Sequence, residues 1–285
     1  MKPQTAVHRR WLLVSMALLL VACETNPITG RTQVMLVPDS ALIQQSSLAY
    51  QQVLGEAKKA RVLDTHHAQT QRVRRIAQRL IAEAKALRPE TQAWQWEVHL
   101  LDVDEVNAWC MAGGKMAVYT GLLKAIKPTD AELAVVMGHE IAHAVLSHQA
   151  EGASTSVLTG IGLQAACVAE PSLCAGATGQ LTGLVAELGI LRPHGRSQEM
   201  EADEIGLMLS ASAGYDPHAS LTLWRKMAQA GGGRVPEFLS THPSPENRQQ
   251  HLAQLAEQLM PVYERARQSR TPSGKTQQRK GRSPQ

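Results

Sequence analysis

Apolar positions recur every three to four residues along two early stretches of the chain. Residues 39–60 and 67–87 both read as helices, the second amphipathic through Val73, Ile76, Leu80 and Ile81. Trp94 to Leu101 alternates and is rich in large apolar groups, the pattern of a strand. After a turn at Asp102-Val103-Asp104, the segments Asn107 to Trp109 and Lys115 to Tyr119 are strand-like on either side of Gly113-Gly114. Thr129 and Glu132, following Pro128, form a capping box, and Leu133, Val136, Met137 and Ala144 carry a helical apolar stripe onward from it. Residues 151–196 are rich in Gly, Ala and Ser and fit either a loose helical hairpin or a lid. A helix opening near Ser197 is stopped by Gly214 with Asp216-Pro217. Leu221 to Ala228 starts another helix, Gly231-Gly232-Gly233 is a flexible joint, and Asn247 to Tyr263 is a final helix. From Gln268 onward the chain lacks an apolar pattern and reads as a disordered tail. The pattern predicts an α+β chain, mainly helical, with one small β-sheet.

One of these helices carries chemistry. His139-Glu140-Ile141-Ala142-His143 places two imidazoles four residues apart, on one helical face, where both can bind a single metal ion. Glu140 sits beside them, where a carboxylate can polarise the attacking water and take its proton. The apolar stripe adjoining the histidines predicts that this face is buried, and a metal ion would satisfy both imidazoles there. His148, five positions beyond His143, points elsewhere on a continuous helix and reads as a solvated histidine.

A hydrolytic zinc site needs a third protein ligand, with the fourth position left to water or substrate. The segment Ser197 to Gly206 supplies four acids at a helix start. A solvated first turn favoured by the helix dipole accounts for Glu201 and Glu204. It accounts less well for Glu199, Asp203 and Gly206, which share one face. Glu199 is therefore the leading candidate ligand, with Glu201 its rival. Asp203 fits the acceptor that orients a ligating imidazole, and Gly206 a close helix approach.

Together these segments resemble the zinc metallopeptidases of the HtpX and CAAX-prenyl-protease family, most closely its periplasmic bacterial lipoprotein branch. The resemblance rests on His139 to His143 followed by Glu199-x-Glu201-Ala202-Asp203. Asn26-Pro-Ile-Thr-Gly-Arg31, Asn107 to Gly114 and Thr241-His-Pro-Ser-Pro-Glu-Asn-Arg248 extend it over residues 24–262. It implies one zinc ion held by His139, His143 and Glu199, with Glu140 as general base and Asp203 supporting the site. It also implies near-site roles for His242 and Arg248, in stabilising an oxyanion or gating the metal. Ala112 departs from the family's usual proline before the Gly-Gly pair, which bears on loop rigidity. The implied fold is a gluzincin-like domain with an edge strand beside the His139–His143 helix, able to pair with an extended substrate.

Composition narrows the partners. Over 285 residues the net charge is +4, from 29 basic and 25 acidic residues. Three basics lie in the first 22 residues and five from 268 onward, with no acid in either; removing those eight leaves 21 against 25, net −4. With aromatics at only 4%, neither a phosphate-binding field nor a stacking surface is evident, so nucleic acid is not an expected partner.

The N-terminus suggests an address. His8-Arg9-Arg10 precede an apolar run from Trp11 to Ala22, too short to span a bilayer but suited to a secretory leader. Leu20-Val21-Ala22-Cys23 resembles a bacterial lipobox, which implies cleavage before Cys23 and acylation of its thiol; an ordinary signal peptide is the alternative. Because Glu24 is not the aspartate associated with inner-membrane retention, the resemblance implies the outer membrane, facing the periplasm. In that oxidising compartment Cys167 and Cys174 are close enough in sequence for a loop disulfide, or are two buried thiols, and Cys110 is left over beside Trp109.

The expected organisation is a lipoprotein leader over 1–22, a tether and N-terminal helix over 23–65, a zinc peptidase domain over 66–265 and a basic tail over 266–285. The expected function is a membrane-anchored zinc metalloendopeptidase that hydrolyses unfolded or misassembled cell-envelope proteins, with the outer-membrane assembly machinery as a further partner. The alternative is a chaperone-like assembly factor with latent or little proteolysis.

Overall fold

The computed structural model describes residues 23–169, 194–230, 236–243 and 247–270. An antiparallel pair, β1 (Cys23–Thr25) and β2 (Thr32–Val34), precedes the helices α1 (Asp39–Lys59) and α2 (His67–Leu87). A short 3₁₀ turn over Pro89–Ala93 leads to β3 (Glu97–Leu101), β4 (Ala108–Met111) and β5 (Lys115–Tyr119). Then follow α3 (Thr120–Ile126), α4 (Asp130–Val145), α5 (His148–Ala169), α6 (Arg196–Ser212), α7 (Ala219–Gln229), α8 (Glu237–Thr241) and α9 (Arg248–Arg270). The fold is mainly helical, as the hydrophobic pattern predicts, but with two small sheets, since the β1–β2 pair adds to the single sheet expected.

The three-stranded sheet has the order β3-β5-β4, with β3 parallel and β4 antiparallel to β5. β4 is therefore an edge strand. Gly113 and Gly114 make the turn into β5 at φ +79° and +78°, backbone that side-chain-bearing residues rarely adopt. A Cβ on Gly114 would also stand 2.5 Å from the Trp96 ring. The expected strand from Trp94 is shorter than its pattern, because pairing begins only at Glu97 opposite Lys115.

α4 runs through the core and is buried on every side from Glu132 to Val145. Its start is fixed by the capping box, with Glu132 N donating to Thr129 Oγ1 at 3.2 Å and Thr129 N to Glu132 Oε2 at 2.8 Å. α2 covers one flank with Val73, Ile76, Ala77, Leu80 and Ala84, all fully buried. Each large aliphatic among them contributes roughly 1.5–3 kcal/mol by leaving water. α6 lies along another flank, and the contact between the two helices is made by glycines. A Cβ on Gly206 would stand 2.6 Å from His139 N, and one on Gly138 would stand 2.6 Å from Gly206 O.

Two expectations need correction here. The tail begins neither at residue 266 nor at Gln268: α9 continues to Arg270, whose guanidinium donates to Glu83 Oε1 at 3.0 Å and holds the last turn against α2. Nor does one helix carry His143 through to His148. α4 ends at Val145, and Ser147 takes left-handed backbone at φ 59° before α5 starts. Arg88 caps the break by donating to Val145 O and Ser147 Oγ. The leader over 1–22, Cys174 with its suggested disulfide to Cys167, the Gly231–Gly233 joint and the tail from 271 lie outside the described residues.

Candidate metal centre

The two glycine-faced helices bring the predicted groups together. The side chains of His139, His143, Glu199 and His242 are buried, and one donor atom from each lies within 4.8 Å of all the others. His139 Nε2 is 3.1 Å from His143 Nε2 and 3.4 Å from Glu199 Oε2, and Glu199 Oε1 is 3.4 Å from His143 Nε2. His242 Nδ1 lies 3.3 Å from His139 Nε2 and 3.0 Å from Glu199 Oε1.

These spacings meet a physical test for zinc. Zinc–ligand bonds of about 2.0–2.1 Å in a tetrahedron imply donor–donor edges of about 3.3 Å. The tautomers agree. A carboxylate can only accept, so His139 Nδ1, 3.1 Å from Asp203 Oδ1, carries a proton, and in the neutral ring Nε2 faces the cluster with a lone pair for a metal. Bare nitrogens crowded beside a carboxylate call for a cation. His139, His143 and Glu199 would hold it, with His242 Nδ1 at the fourth corner.

Glu140 is 3% exposed, and its Oε1 has no hydrogen-bond partner, with His242 Nε2 3.4 Å away. It lines a cleft with Asn107 to Met111, Gln149, His194, Thr241 and His242. Four of those lining residues are the edge strand β4. Along it, Gln149 Nε2 donates to Cys110 O at 2.8 Å, so one acceptor of that edge is already engaged.

The profile of peptidase family M48 matches residues 67–256, two thirds of the chain. The chain belongs to that family of metalloproteases. It is 38% identical to the mitochondrial metalloendopeptidase OMA1 of Arabidopsis thaliana over 67% of this chain and 38% of that protein. It is 34% identical to the human metalloendopeptidase OMA1, mitochondrial, over 85% of this chain and 47% of that protein. The beta-barrel assembly-enhancing protease of Escherichia coli K12 is 28% identical over 68% of this chain and 40% of its own length. The chain thus spans about half the length, or less, of these relatives. Identity is higher to the mitochondrial proteins than to this bacterial one, so a special closeness to the periplasmic branch is not supported.

Charge within the M48 centre follows from burial and contact. Burial alone would raise the Glu199 carboxyl, but contacts from His139, His143 and His242 hold it far below the usual carboxylate range. Burial opposes protonation of His139, yet Asp203 and Glu199 pull its pKa up to about 9, so without a metal ion Nε2 takes up a proton facing Glu199, and a metal would displace that proton. Burial, with no hydrogen bond to offset it, pushes Glu140 above its ordinary value.

Arg248, 3% exposed, donates from Nε to Asp203 Oδ2 and from Nη2 to Asp203 Oδ1, both at 2.7 Å, and lies 3.5 Å above the Trp224 ring. It braces the acids and is not among the cleft-lining residues. Glu201 faces away from the metal cluster, towards Arg31 and His148.

His148 is the clear correction. It is 1% exposed, not solvated, and Nδ1 lies 2.9 Å from His143 Nδ1 while Nε2 lies 3.0 Å from Glu201 Oε2. The left-handed turn at Ser147 folds it back over the ligand. His194 was not singled out by the sequence pattern. It stacks on His143 with ring centroids 4.0 Å apart, and burial drives its pKa down to about 3. Its one local signal is position, immediately ahead of the helix that carries Glu199.

Proposed function

We propose that the protein is a zinc metalloendopeptidase acting on unfolded or misassembled proteins at a membrane surface. The observation that carries this reading is the cluster of His139, His143, Glu199 and His242, with donor contacts of 3.0–3.4 Å, beside a buried, unbonded Glu140 carboxylate oxygen. Zinc held there would supply the Lewis acid for the attacking water and the scissile carbonyl. Glu140 Oε1 takes the water's proton and returns it to the leaving amine. β4 offers the part of its edge not taken by Gln149 to extended main chain, which favours unfolded segments over folded domains. Asp203, clamped by Arg248, keeps the His139 ring in its ligating tautomer.

Metal analysis of the purified chain should give about one zinc per molecule. Casein or an unfolded outer-membrane protein should be cleaved by wild type and not by Glu140→Gln. Cleavage by both would overturn the reading. Full zinc content in both His139→Ala and His143→Ala would do the same.

For the address we propose a lipid anchor at Cys23 on the periplasmic side of a bacterial outer membrane. The Leu20 to Cys23 segment supports it, and Cys23 itself is exposed in β1. Among the described residues no helix is long and apolar enough to cross a membrane. Labelled palmitate should attach to wild type and not to Cys23→Ser. Normal processing with no label would remove the anchor and leave the address open to the mitochondrial alternative that the higher identities favour.

A second reading has one observation in its favour. His242 Nδ1 stands at the corner that water or substrate needs, which suits an assembly factor with latent proteolysis. In that case wild type would hold zinc and bind unfolded envelope protein while cleaving it little.

A further inference from the structure

The N-terminal segment joins the metal centre by a chain of hydrogen bonds. Arg31 Nε donates to Glu201 Oε1 at 2.8 Å, and Arg31 Nη2 donates to Glu151 Oε2 at 2.7 Å. Glu201 Oε2 lies 3.0 Å from His148 Nε2, and His148 Nδ1 lies 2.9 Å from His143 Nδ1. Glu201 and Glu151 lie on different helices, α6 and α5, so the Arg31 fork ties the two together. The same segment is seated independently of Arg31: Asn26 Nδ2 and Gln33 Nε2 both donate to Leu146 O, at 3.2 and 2.9 Å. That carbonyl belongs to the C-cap of the helix bearing both histidines.

The proton order along this chain has one consistent solution. Glu201 only accepts, so His148 Nε2 carries a proton and, in the neutral ring, Nδ1 is bare. His143 Nδ1 must then be the donor to His148, which leaves His143 Nε2 bare, and Nε2 is the atom facing His139 and Glu199. Reversing the order would put a proton on His143 Nε2, where a metal ligand needs a lone pair.

We propose that Arg31, Glu201 and His148 form a positioning relay that sets the His143 tautomer and ring angle for metal binding. Residues 26–33 are thereby a working part of the centre and not only a tether. The relay rests on the zinc reading for its purpose but not for its geometry. None of the three residues lines the cleft. They act through His143, as a carboxylate behind a ligating imidazole does.

The test has two readouts on the full chain. Nitrogen-15 spectra of the metal-free protein report which His143 nitrogen carries hydrogen, and chelator competition reports zinc affinity. Wild type should show hydrogen on Nδ1. His148→Leu, which removes the acceptor, should mix the tautomers and weaken zinc by about 10–100-fold. His148→Asn keeps an acceptor oxygen near the Nδ1 position and should restore most of that affinity. Arg31→Lys, a variant at the partly exposed end of the relay, should shift both readouts in the same direction by less, and covers the case in which His148→Leu fails to fold.

Wild-type affinity and an unchanged tautomer in His148→Leu would overturn the relay. Equal losses in His148→Leu and His148→Asn would overturn it too, by showing that packing and not the acceptor matters. A wild-type chain with ordered Nδ1–H but no zinc binding would sink the zinc reading and leave the relay standing.

Discussion

Gly206 lies directly against the backbone of His139: a Cβ there would stand 2.6 Å from His139 N and 2.7 Å from its Cα. The atoms in the way are main chain, so no rotamer change can relieve them. Separating the helices is the only escape, and it would pull Glu199 and Asp203 away from both histidines.

Gly206→Ala should therefore lose metal and stability together. Overpacking of this kind costs about 1–3 kcal/mol, read as a lower urea midpoint with an unchanged slope. Zinc per chain should fall in the same sample. A variant with wild-type midpoint and full zinc would show that α4 and α6 do not need this contact.

Glu140 gives a prediction with a sign. Burial pushes its carboxyl above the ordinary glutamate value, so in the metal-free protein it should titrate above about 4.5. A divalent cation nearby stabilises the charged form, so zinc should bring that titration down. Carboxyl stretching bands of wild type, with Glu140→Gln as the blank, read both values. An upward shift on adding zinc would place Glu140 away from the metal.

The acids of α6 should separate by role. Glu199→Gln should lose most of the zinc, since Oε2 lies 3.4 Å from His139 Nε2 and Oε1 3.4 Å from His143 Nε2. Asp203→Asn should weaken zinc by about 10–100-fold, because it orients His139 without being placed to ligate. If Asp203→Asn strips zinc as completely as Glu199→Gln, Asp203 is a ligand and the assignment must change.

What the sequence made legible was local. The His139–His143 face, the Thr129–Glu132 capping box and α2 over 67–87 each follow from spacing within one helix. Gly206 was legible too, because it shares a face with Glu199 and Asp203. The place of His148 is not legible because nothing marks Ser147 as a left-handed break, and on a continuous helix a five-residue offset points away. His194 and the Arg248 brace depend on segments meeting across the fold. Arg248 lies 45 positions from the Asp203 it clamps, a pairing no periodicity encodes. The N-terminal motif around Asn26 to Arg31 was visible as a motif, but its 170-position reach to Glu201 appears only in the fold.

His242 remains the residue whose role is decided by the sign of an effect. Its Nδ1 stands 3.3 Å from His139 Nε2 and 3.0 Å from Glu199 Oε1, while Nε2 faces Glu140 at 3.4 Å. A ring so placed fills the corner that substrate needs, and a tilted ring contact with Phe238, centroids 4.6 Å apart, holds it there. His242→Ala should open that corner and raise basal cleavage, with self-digestion on storage. Were His242 instead an oxyanion donor, the same change would lower kcat by about 10²–10³. Zinc affinity separates the two further, since only removal of a fourth ligand should weaken it. An unchanged rate together with unchanged zinc affinity would remove His242 from the centre altogether.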